Sequence, residues 1–364
     1  MTTVHSATDP RIFSKECRSI AEAGWTVTLV APGERDDTRD GVRIRVVRPR
    51  HRLARMTLSV LDAYRYARAI PANVYHLHDP ELIAAGLLLR LQGRRVIYDA
   101  HEDLPAHVLA KGWIPRGVQS FASAFSAWLL KLVGSYFTAI VAVTEPVAQR
   151  FPVRKTVVIH NFPRLEEFSS TRQVPYAARP AHLAYVGGIS ELRGLRQMVA
   201  ATGQLPTDLG ARLNLIGRFQ PASLEAEVGK LPGADGRVEA LGWRSPSEVA
   251  ELLGESRIGL CLLHPLQNYM EGMPTKLFEY MAAGLPVIAS DFPLWRSIVD
   301  PAGCGILVDP LDVKAIAGAA TQLLRDPKEA EEMGQRGRAA VEARYSWSSE
   351  ASKLLALYER LASR

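Results

Sequence analysis

The 364-residue sequence has few cysteines and no long uninterrupted hydrophobic run. Its three cysteines, Cys17, Cys261 and Cys304, are an odd number at wide spacing, which gives neither a disulfide framework nor a metal-binding knuckle. The N-terminus lacks the basic, apolar, small-residue pattern of a secretory signal. The most apolar stretch, residues 121–143, is interrupted by Lys131 and rich in Ser and Thr, so it predicts a helix followed by a strand. These absences favour a reducing cytoplasm.

Several catalytic and binding motifs are also absent. No G-x-S-x-G occurs, which disfavours a serine hydrolase, and no G-x-G-x-x-G occurs, which disfavours a dehydrogenase. No H-E-x-x-H supports a zinc enzyme, and no recognition motif supports nucleic-acid binding. What remains is a globular composition, 47% apolar and 23% charged, without low-complexity tracts.

Acidic residues are scarce in the first half of the chain. Residues 1–180 contain 25 Lys+Arg and 16 Asp+Glu, a net charge of +9, and residues 181–364 contain 19 and 22, a net charge of −3. Part of the excess lies in Arg43, Arg45, Arg48, Arg50, Arg52 and Arg55. This cluster could face an anionic membrane or an acidic acceptor, or it could be a solvated strand edge.

Short β-rich runs alternate with amphipathic helical stretches in both halves of the chain. The predicted strands are Thr26–Ala31, Val42–Val47, Val74–Leu77, Arg95–Asp99, Ala139–Val143, His182–Val186, Arg212–Ile216, Val238–Leu241, Ile258–Leu262, Val287–Ser290 and Gly305–Val308. The predicted helices between them include Ile12–Ala23, Glu191–Ala201, Ser247–Leu253, Lys314–Leu324 and Ser348–Ala362. This alternation predicts an α/β chain with two doubly wound parallel sheets.

The length predicts two domains. We expect a Rossmann-like N-terminal domain at 1–165, a linker rich in proline and charge at 166–180, a Rossmann-like C-terminal domain at 181–346, and a final helix at 347–364 that packs back on the N-terminal domain or on its own domain. Two such domains form a cleft, and ligands bind at the carboxyl ends of the strands.

The segment from Glu271 to Asp291 carries the clearest chemistry. Pro274 suits a first helical turn, and Gly284 and Pro286 end the helix before a strand resumes. A helix beginning at Pro274 would direct the backbone N–H groups of Thr275, Lys276 and Leu277 outward to hold a diphosphate. Glu271 precedes this helix, and Glu279 lies about two turns further along. The two carboxylates are placed to accept hydrogen bonds from sugar and ribose hydroxyls.

This segment resembles glycosyltransferase family 4, retaining enzymes of the GT-B fold. The resemblance rests on two glutamates separated by seven residues, within Gly272-Met273-Pro274 and Met281-Ala-Ala-Gly-Leu-Pro-Val. It implies two Rossmann-like domains facing a central cleft. It also implies that Glu271 contacts the donor sugar and takes part in catalysis, and that Glu279 contacts the ribose.

Two turns in the second half resemble other donor-binding segments of the family. The stretch Tyr185-Val-Gly187-Gly188 runs on to Arg193, which implies a backbone approach to the phosphates and a cation that neutralises them. Gly188 stands where the family often has another arginine, and Lys276 or Arg218 could compensate. The turn at Gly217-Arg218 resembles the edge that binds the base.

Polar residues end two strands of the first half. A metal site from His76, His78, Asp79 and His101 is conceivable but lacks a supporting motif, so we expect none. The resemblance instead implies that His101 meets the donor sugar, with Glu102 and Asp103 orienting it or binding acceptor. Asp79 and Glu81 are further acceptor candidates, although helix capping explains Asp79, Glu81 and Asp103 equally well.

The early segment His5–Cys17, with His5, Asp9 and Arg11 as acceptor candidates, resembles a bacterial branch that builds surface polysaccharides. The segments 75–81, 98–103 and 111–115 extend that resemblance. A first strand is expected before His5, where only four residues stand, so either the strand is short or the start lies inside the gene.

The resulting prediction is transfer of a sugar from a nucleoside diphosphate, UDP by family frequency, to an acceptor hydroxyl with retention. We expect no required cofactor, no essential divalent metal and no nucleic-acid partner. We expect a cytoplasmic protein with peripheral contact at the inner membrane face through its basic N-terminal domain. The alternatives are a nucleotide-sugar epimerase of the same fold and a non-catalytic nucleotide-sugar-binding subunit.

Overall fold

The computed structural model describes residues 1–109, 115–172 and 174–363. Contacts divide the chain into two compact units. The N-terminal unit comprises Met1–Asn161 and Trp347–Arg364, and the C-terminal unit comprises Phe162–Ser346. Among the described residues, we find no helix with the length and apolar character needed to cross a bilayer.

The N-terminal unit contains two sheets. One has the order β1-β3-β2, with β2 antiparallel, and the other has the fully parallel order β4-β5-β6-β7. The strands are β1 (Val27–Pro32), β2 (Asp37–Arg39), β3 (Val42–Val47), β4 (Tyr75–Leu77), β5 (Val96–Ala100), β6 (Ala139–Ala142) and β7 (Thr156–Val158). The first two residues link the sheets, because Thr2 N–H donates to Val30 O and Met1 hydrogen-bonds the backbone of His76 and His78.

Helices cover both faces of these sheets. They are Pro10–Cys17, Arg18–Glu22, Arg52–Ala54, Arg55–Ser59, Val60–Ala69, Pro80–Leu82, Ile83–Leu91, Leu104–Leu109, Arg116–Tyr136, Glu145–Ala148, Val153–Lys155 and Trp347–Ala362. Apolar residues of Val60–Ala69, Ile83–Leu91 and Arg116–Tyr136 pack in one core against β4–β6. These three helices therefore form one layer.

The C-terminal helix Trp347–Ala362 belongs to the N-terminal unit. Trp347 and Leu354 are buried with Ile97 and Val141 of the parallel sheet. Trp347 Nε1–H donates to Ser19 Oγ over 2.8 Å. The last segment of the chain thus completes the core of the first unit.

The C-terminal unit is one six-stranded parallel sheet of order β10-β9-β8-β11-β12-β13. Its strands are β8 (His182–Val186), β9 (Arg212–Ile216), β10 (Val238–Gly242), β11 (Ile258–Cys261), β12 (Val287–Ser290) and β13 (Gly305–Val308). This is the 3-2-1-4-5-6 order of the doubly wound Rossmann fold, whose direction reverses between β8 and β11. The predicted α/β class with doubly wound sheets is confirmed.

The helices of this unit flank the sheet and bury a continuous core. They are Leu165–Arg172, Tyr176–Ala178, Glu191–Arg193, Leu195–Gln204, Thr207–Leu209, Leu224–Val228, Pro246–Gly254, Gln267–Met270, Thr275–Ala282, Pro293–Ala302, Val313–Arg325 and Pro327–Arg344. Ser245 caps Pro246–Gly254 through a reciprocal capping box with Glu248.

The eleven predicted strands all form, with ends shifted by at most one residue. Sequence reasoning missed β2 and β7, which lie at sheet edges. The three residues of β2 include two charges, and β7 has only three half-buried residues, so neither carries the buried apolar run that marks an interior strand. The predicted helix Glu191–Ala201 is broken at Gly194, whose backbone is left-handed at φ +77°.

Candidate functional site

The reversal point of the six-stranded sheet lies between β8 and β11, and ligands of doubly wound sheets bind at the carboxyl ends of such strands. Gly187 and Gly188 follow β8, and Leu262 and Leu263 follow β11. The sequence therefore places its glycine turn at the position where this topology opens a crevice.

Close backbone packing explains the glycines at this edge. A Cβ on Gly217, which has φ +149°, would lie 1.9 Å from Gly187 O. A Cβ on Gly194 would lie 2.2 Å from Leu262 O. The ends of β8, β9 and β11 thus lie close to neighbouring backbone without intervening side chains.

The helix after the glutamate loop spans Thr275–Ala282, so it begins one residue later than predicted. Pro274 is its N-cap, with φ −72° and ψ 125°, rather than its first helical residue. Leu277 N–H donates to Pro274 O over 3.1 Å, so the expectation that this N–H is open to a ligand is wrong. The anion-binding potential of this helix start rests on Thr275 and Lys276.

A cavity of about 240 Å³ lies at this helix start. It is lined by Arg193, Leu263, Asn268, Tyr269, Gly272, Met273, Pro274, Thr275, Lys276 and Trp295. Six of these residues are predicted donor-binding residues. The structure therefore brings residues from two distant segments of the chain into one concave site.

Two cations flank the glycine turn. Arg193 Nη1 donates to Gly188 O over 3.4 Å. Lys276 Nζ is buried, lies 3.6 Å from the centroid of the Tyr185 ring, and has no hydrogen-bond acceptor among the described residues. Burial, together with the positive charge of Arg193, lowers the pKa of the Lys276 ammonium to about 7. An anion in the cavity would stabilise the charged form of Lys276.

The two glutamates differ in exposure. Glu271 is exposed at the end of Gln267–Met270, where its Oε1 accepts from Gln267 Nε2 over 3.1 Å. Glu279 is half-buried on Thr275–Ala282. Their roles as sugar and ribose contacts stay predictions.

Arg218 is exposed just after Gly217, and its guanidinium lies 6.0 Å from the ring centroid of Trp243. Trp243 follows Gly242, whose carbonyl accepts from Gly217 N–H. An exposed aromatic ring thus stands beside the turn expected to bind the base. Sequence reasoning missed Trp243, although a tryptophan directly after a strand is a visible signal.

Trp295 is a second residue that sequence reasoning missed. It is fully buried, and its Nε1–H donates to Gly272 O over 2.8 Å, which holds the glutamate loop. Tyr269 and Asn268 line the same cavity. No sequence pattern marks Trp295, because its partner is a backbone carbonyl 23 residues away.

In the N-terminal unit, His101 follows β5 and adjoins a buried polar cluster. Its Nε2 lies 3.5 Å from Asp99 Oδ2 and 3.4 Å from His78 Nδ1. Burial would raise the pKa of Asp99, but the charges of Arg11 and His101 outweigh burial and hold it well below its usual range. Asp99 is therefore an anion that can orient the His101 ring.

Four predicted acceptor carboxylates have partners within this unit. Asp79 is buried and accepts from the Thr2 hydroxyl and from the Thr3 and Val4 N–H groups, so it anchors the N-terminal segment. The other three form pairs: Glu81 with Arg55 at 2.8 Å, Asp103 with Arg150 at 2.6 Å, and Glu102 with His107 at 2.6 Å. These contacts give each carboxylate a structural role, and acceptor binding stays a prediction.

Among the acceptor candidates near the start of the chain, Asp9 and Arg11 are also held by contacts within this unit. Asp9 caps the first helix through the N–H groups of Arg11 and Ile12, and it pairs with His5 at 3.0 Å. Arg11 is buried between Asp99 and Glu16. His5 remains half-buried, with its ring 5.2 Å from that of His101. Residues 111–114 of the branch-like segment 111–115 lie outside the described residues.

The residues that could hold a metal ion in the structure differ from His76, His78, Asp79 and His101, the candidates considered from the sequence. Ligand atoms of Glu16, His76, His78 and Asp99 lie within 4.8 Å of one another. The Arg11 guanidinium contacts both carboxylates, 3.0 Å from Glu16 and 3.1 Å from Asp99. A cation of the protein itself thus pairs with both carboxylates.

Two family descriptions together cover most of the chain. "Glycosyl transferase 4-like domain" matches residues 11–161, and "Glycosyl transferases group 1" matches residues 170–340. The chain belongs to the family-4-type glycosyltransferases of the GT-B fold. Within this glycosyltransferase family, the second description spans the cavity and both glutamates.

Known glycosyltransferases are similar over different lengths. MMP alpha-(1->4)-mannosyltransferase of Mycolicibacterium hassiacum is 27% identical over 48% of this chain and 41% of its own length. The chain therefore matches less than half of that relative. Sucrose-phosphate synthase from Thermosynechococcus elongatus has a TM-score of 0.76 at 21% identity, over 95% of this chain and 92% of that one. Anabaena Alr3699/HepE, in complex with UDP and glucose, has a TM-score of 0.70 at 15% identity, over 96% and 95%.

Proposed function

We propose that this chain is a retaining glycosyltransferase that moves a sugar from a nucleoside diphosphate to an acceptor hydroxyl. The observation that carries the proposal is the convergence of Arg193 and Lys276 on the glycine turn beside the start of Thr275–Ala282. Lys276 Nζ is buried with no acceptor among the described residues, so an anion beside it would favour its charged form. A diphosphate at the helix N-terminus would supply that anion.

The remaining donor contacts follow the family resemblance. Glu271 binds a hydroxyl of the sugar, Glu279 binds the ribose, and the base lies by Gly217 and Arg218. Trp243 adds an aromatic face on which a base can stack. UDP is the proposed nucleotide, and the UDP and glucose found with Anabaena HepE support this choice. The acceptor is a saccharide, a lipid-linked saccharide or a natural product.

Retention can occur by front-face transfer without a covalent nucleophile. The acceptor oxygen bonds to the anomeric carbon on the face that the diphosphate leaves, the C–O bond to the diphosphate breaks, and a donor phosphate oxygen receives the proton of the acceptor hydroxyl. Arg193 and Lys276 stabilise the charge that develops on the diphosphate. His101, oriented by Asp99, contacts the donor sugar. Two protein cations supply the charge at the diphosphate, so we propose that no divalent metal is essential.

A ligand screen tests donor binding first. UDP, GDP and dTDP sugars are compared by thermal shift, since a specific ligand raises stability by mass action. Arg193→Ala is expected to abolish the shift, whereas Arg196→Ala is the matched control, because Arg196 is exposed and paired with Glu191. Equal shifts in both variants would refute the assigned site.

Product analysis separates the reaction classes. We expect sugar transfer only in the presence of an acceptor and undiminished by EDTA, with the anomeric configuration kept. Release of an altered free sugar would indicate an epimerase. Nucleotide binding without transfer or hydrolysis would indicate a binding subunit. Glu279→Ala is expected to impair donor use, while His101→Ala lowers kcat more than it weakens nucleotide binding.

We also propose that the reaction takes place at a membrane surface. The basic N-terminal part of the chain contacts an anionic membrane at its cytoplasmic face, where a lipid-linked acceptor would be available. The positive charge of residues 1–180 supports this contact.

A further inference from the structure

The helix Arg116–Tyr136 has an apolar face that is exposed. Val118, Phe121, Phe125 and Trp128 recur at helical spacing and are 56%, 75%, 50% and 52% exposed. We call these four residues the aromatic stripe. The rings of Phe125 and Trp128 stack with their centroids 5.6 Å apart, so these two side chains form one apolar surface. Monomeric proteins rarely expose such patches unless the patch binds something.

The opposite face of the same helix is also apolar and faces the core. Leu130 and Val133 are buried against the parallel sheet. The helix is therefore held in place without the stripe, and the stripe contributes nothing to the core of the N-terminal unit. Its side chains remain available to a partner.

The start of the same helical layer carries a second exposed apolar group. Helices that connect parallel strands run antiparallel to them, so the helix N-termini lie at the carboxyl edge of the sheet. Residues 52–59 precede Val60–Ala69 at that edge, and the first half of Arg116–Tyr136 lies at the same edge. Leu53, Met56 and Leu58 are exposed there.

Basic residues outnumber acidic ones in the two segments that carry these apolar groups. Residues 43–70 contain eight arginines and one acidic residue, Asp62, and residues 104–144 contain three basic residues and no acidic one. Arg48 and Arg52 are exposed, as is Leu53. Lys131 is exposed one turn beyond Trp128. Exposed aromatic residues in segments rich in cations and poor in carboxylates have the composition of a surface that enters the headgroup region of an anionic bilayer.

We propose that the aromatic stripe, together with Leu53 and Met56, inserts into the interface of an anionic phospholipid bilayer, with Arg48, Arg52 and Lys131 contacting the headgroups. This identifies the insertion surface for the membrane contact of the proposed function. It does not depend on the donor chemistry, because lipid binding is measured without nucleotide.

The experiment compares full-length variants in cosedimentation with vesicles. The vesicles are phosphatidylcholine alone or an equal mixture of phosphatidylcholine and phosphatidylglycerol. The test variant carries Phe121→Ser, Phe125→Ser and Trp128→Ser. The matched control is Leu91→Ser, because Leu91 is 83% exposed on the same helical layer but at the amino edge of the sheet. All replaced side chains are exposed, so the midpoint of thermal unfolding should be unchanged. An unchanged midpoint confirms that each variant folds.

The wild type and Leu91→Ser should bind the anionic vesicles equally, and the triple variant should lose about tenfold or more in partition. Arg48→Ser with Arg52→Ser should lower binding to anionic vesicles and leave the weak binding to phosphatidylcholine unchanged. Equal binding by the wild type and the triple variant would overturn the proposal, as would a wild type that does not bind vesicles. A wild-type dimer that the triple variant dissociates, without vesicle binding, would assign the stripe to a second copy instead.

Failure of the donor assignment is distinguishable from failure of this proposal. The thermal shift with UDP should be the same in the wild type and the triple variant, because the stripe lies outside the C-terminal unit. A triple variant that loses vesicle binding and keeps the nucleotide shift supports the membrane surface even where the proposed donor is wrong.

Discussion

Replacing Lys276 with methionine should stabilise the ligand-free protein while removing donor binding. Lys276 is buried, and its Nζ has no hydrogen-bond acceptor among the described residues. Its pKa falls from 10.5 to about 7, a shift of about 3.5 units, and each unit corresponds to about 1.4 kcal/mol. Charged Lys276 therefore costs about 5 kcal/mol of folding free energy. Loss of the contact with Tyr185 offsets up to about 2 kcal/mol, which leaves a gain of about 3 kcal/mol.

The gain in stability from Lys276→Met should decrease as the pH rises. Below pH 7 the lysine is protonated in both the folded and unfolded states, so the full cost is present. Between pH 7 and about 10.5 the unfolded state binds more protons than the folded state, so the stability of the wild type rises with pH. The advantage of Lys276→Met should be largest at pH 6 and should nearly vanish by pH 10.

Calorimetric or urea unfolding at pH 6 and pH 10 measures this difference. The transition of residues 162–346 is the relevant one, because the chain has two units. Lys314→Met is the matched control, since Lys314 is exposed on a helix of the same unit, and its stability change should stay within about 0.5 kcal/mol. A Lys276→Met variant that is less stable than the wild type at pH 6, or equally shifted at both pH values, would refute the reasoning.

Three further expectations follow from the same site. Binding of UDP should weaken as pH rises above 7, by up to about tenfold per unit, because the bound diphosphate must recharge Lys276; calorimetric titration should find this slope in the wild type and not in Lys276→Met. Gly217→Ala should lower the free energy of unfolding by more than about 3 kcal/mol, because the new Cβ would meet a backbone oxygen at 1.9 Å. Gly210→Ala is the control: its φ is also positive, but the space around it is open, so it should cost about 1 kcal/mol in thermal unfolding. Trp295→Phe should leave Gly272 O without its donor, costing about 1–2 kcal/mol and raising the KM for donor more than it lowers kcat.

The sheet and the start of the helix after the glutamate loop were predictable from the sequence because their signals are local. Buried parallel strands such as Val287–Ser290 are short apolar runs between glycine and proline, and such runs form strands in the structure. The helix start at Pro274 was placed within one residue, because proline restricts its own backbone and ends the preceding loop. The cavity itself was less predictable, since Trp295 reaches it through tertiary packing alone.

The first half of the chain was harder to interpret, because its polar residues are also held by tertiary contacts that no local pattern reveals. Asp79, Glu81 and Asp103 follow strands, which is where ligand-binding residues also lie. Their partners are distant in sequence: Thr2 for Asp79, Arg55 for Glu81 and Arg150 for Asp103. A carboxylate that holds a loop and a carboxylate that holds a ligand have the same local pattern. Only the packed chain shows which partners are within reach.

The C-terminal helix has a consequence for the order in which the chain folds. The core of the N-terminal unit includes Trp347, Leu354 and Leu357, and these residues are synthesised after the whole of the C-terminal unit. The C-terminal unit is continuous in sequence, so all its strands are available earlier. We therefore expect the second half of the protein to reach its final packing before the first. The N-terminal unit can bury its remaining core only after residues 347–361 have left the ribosome.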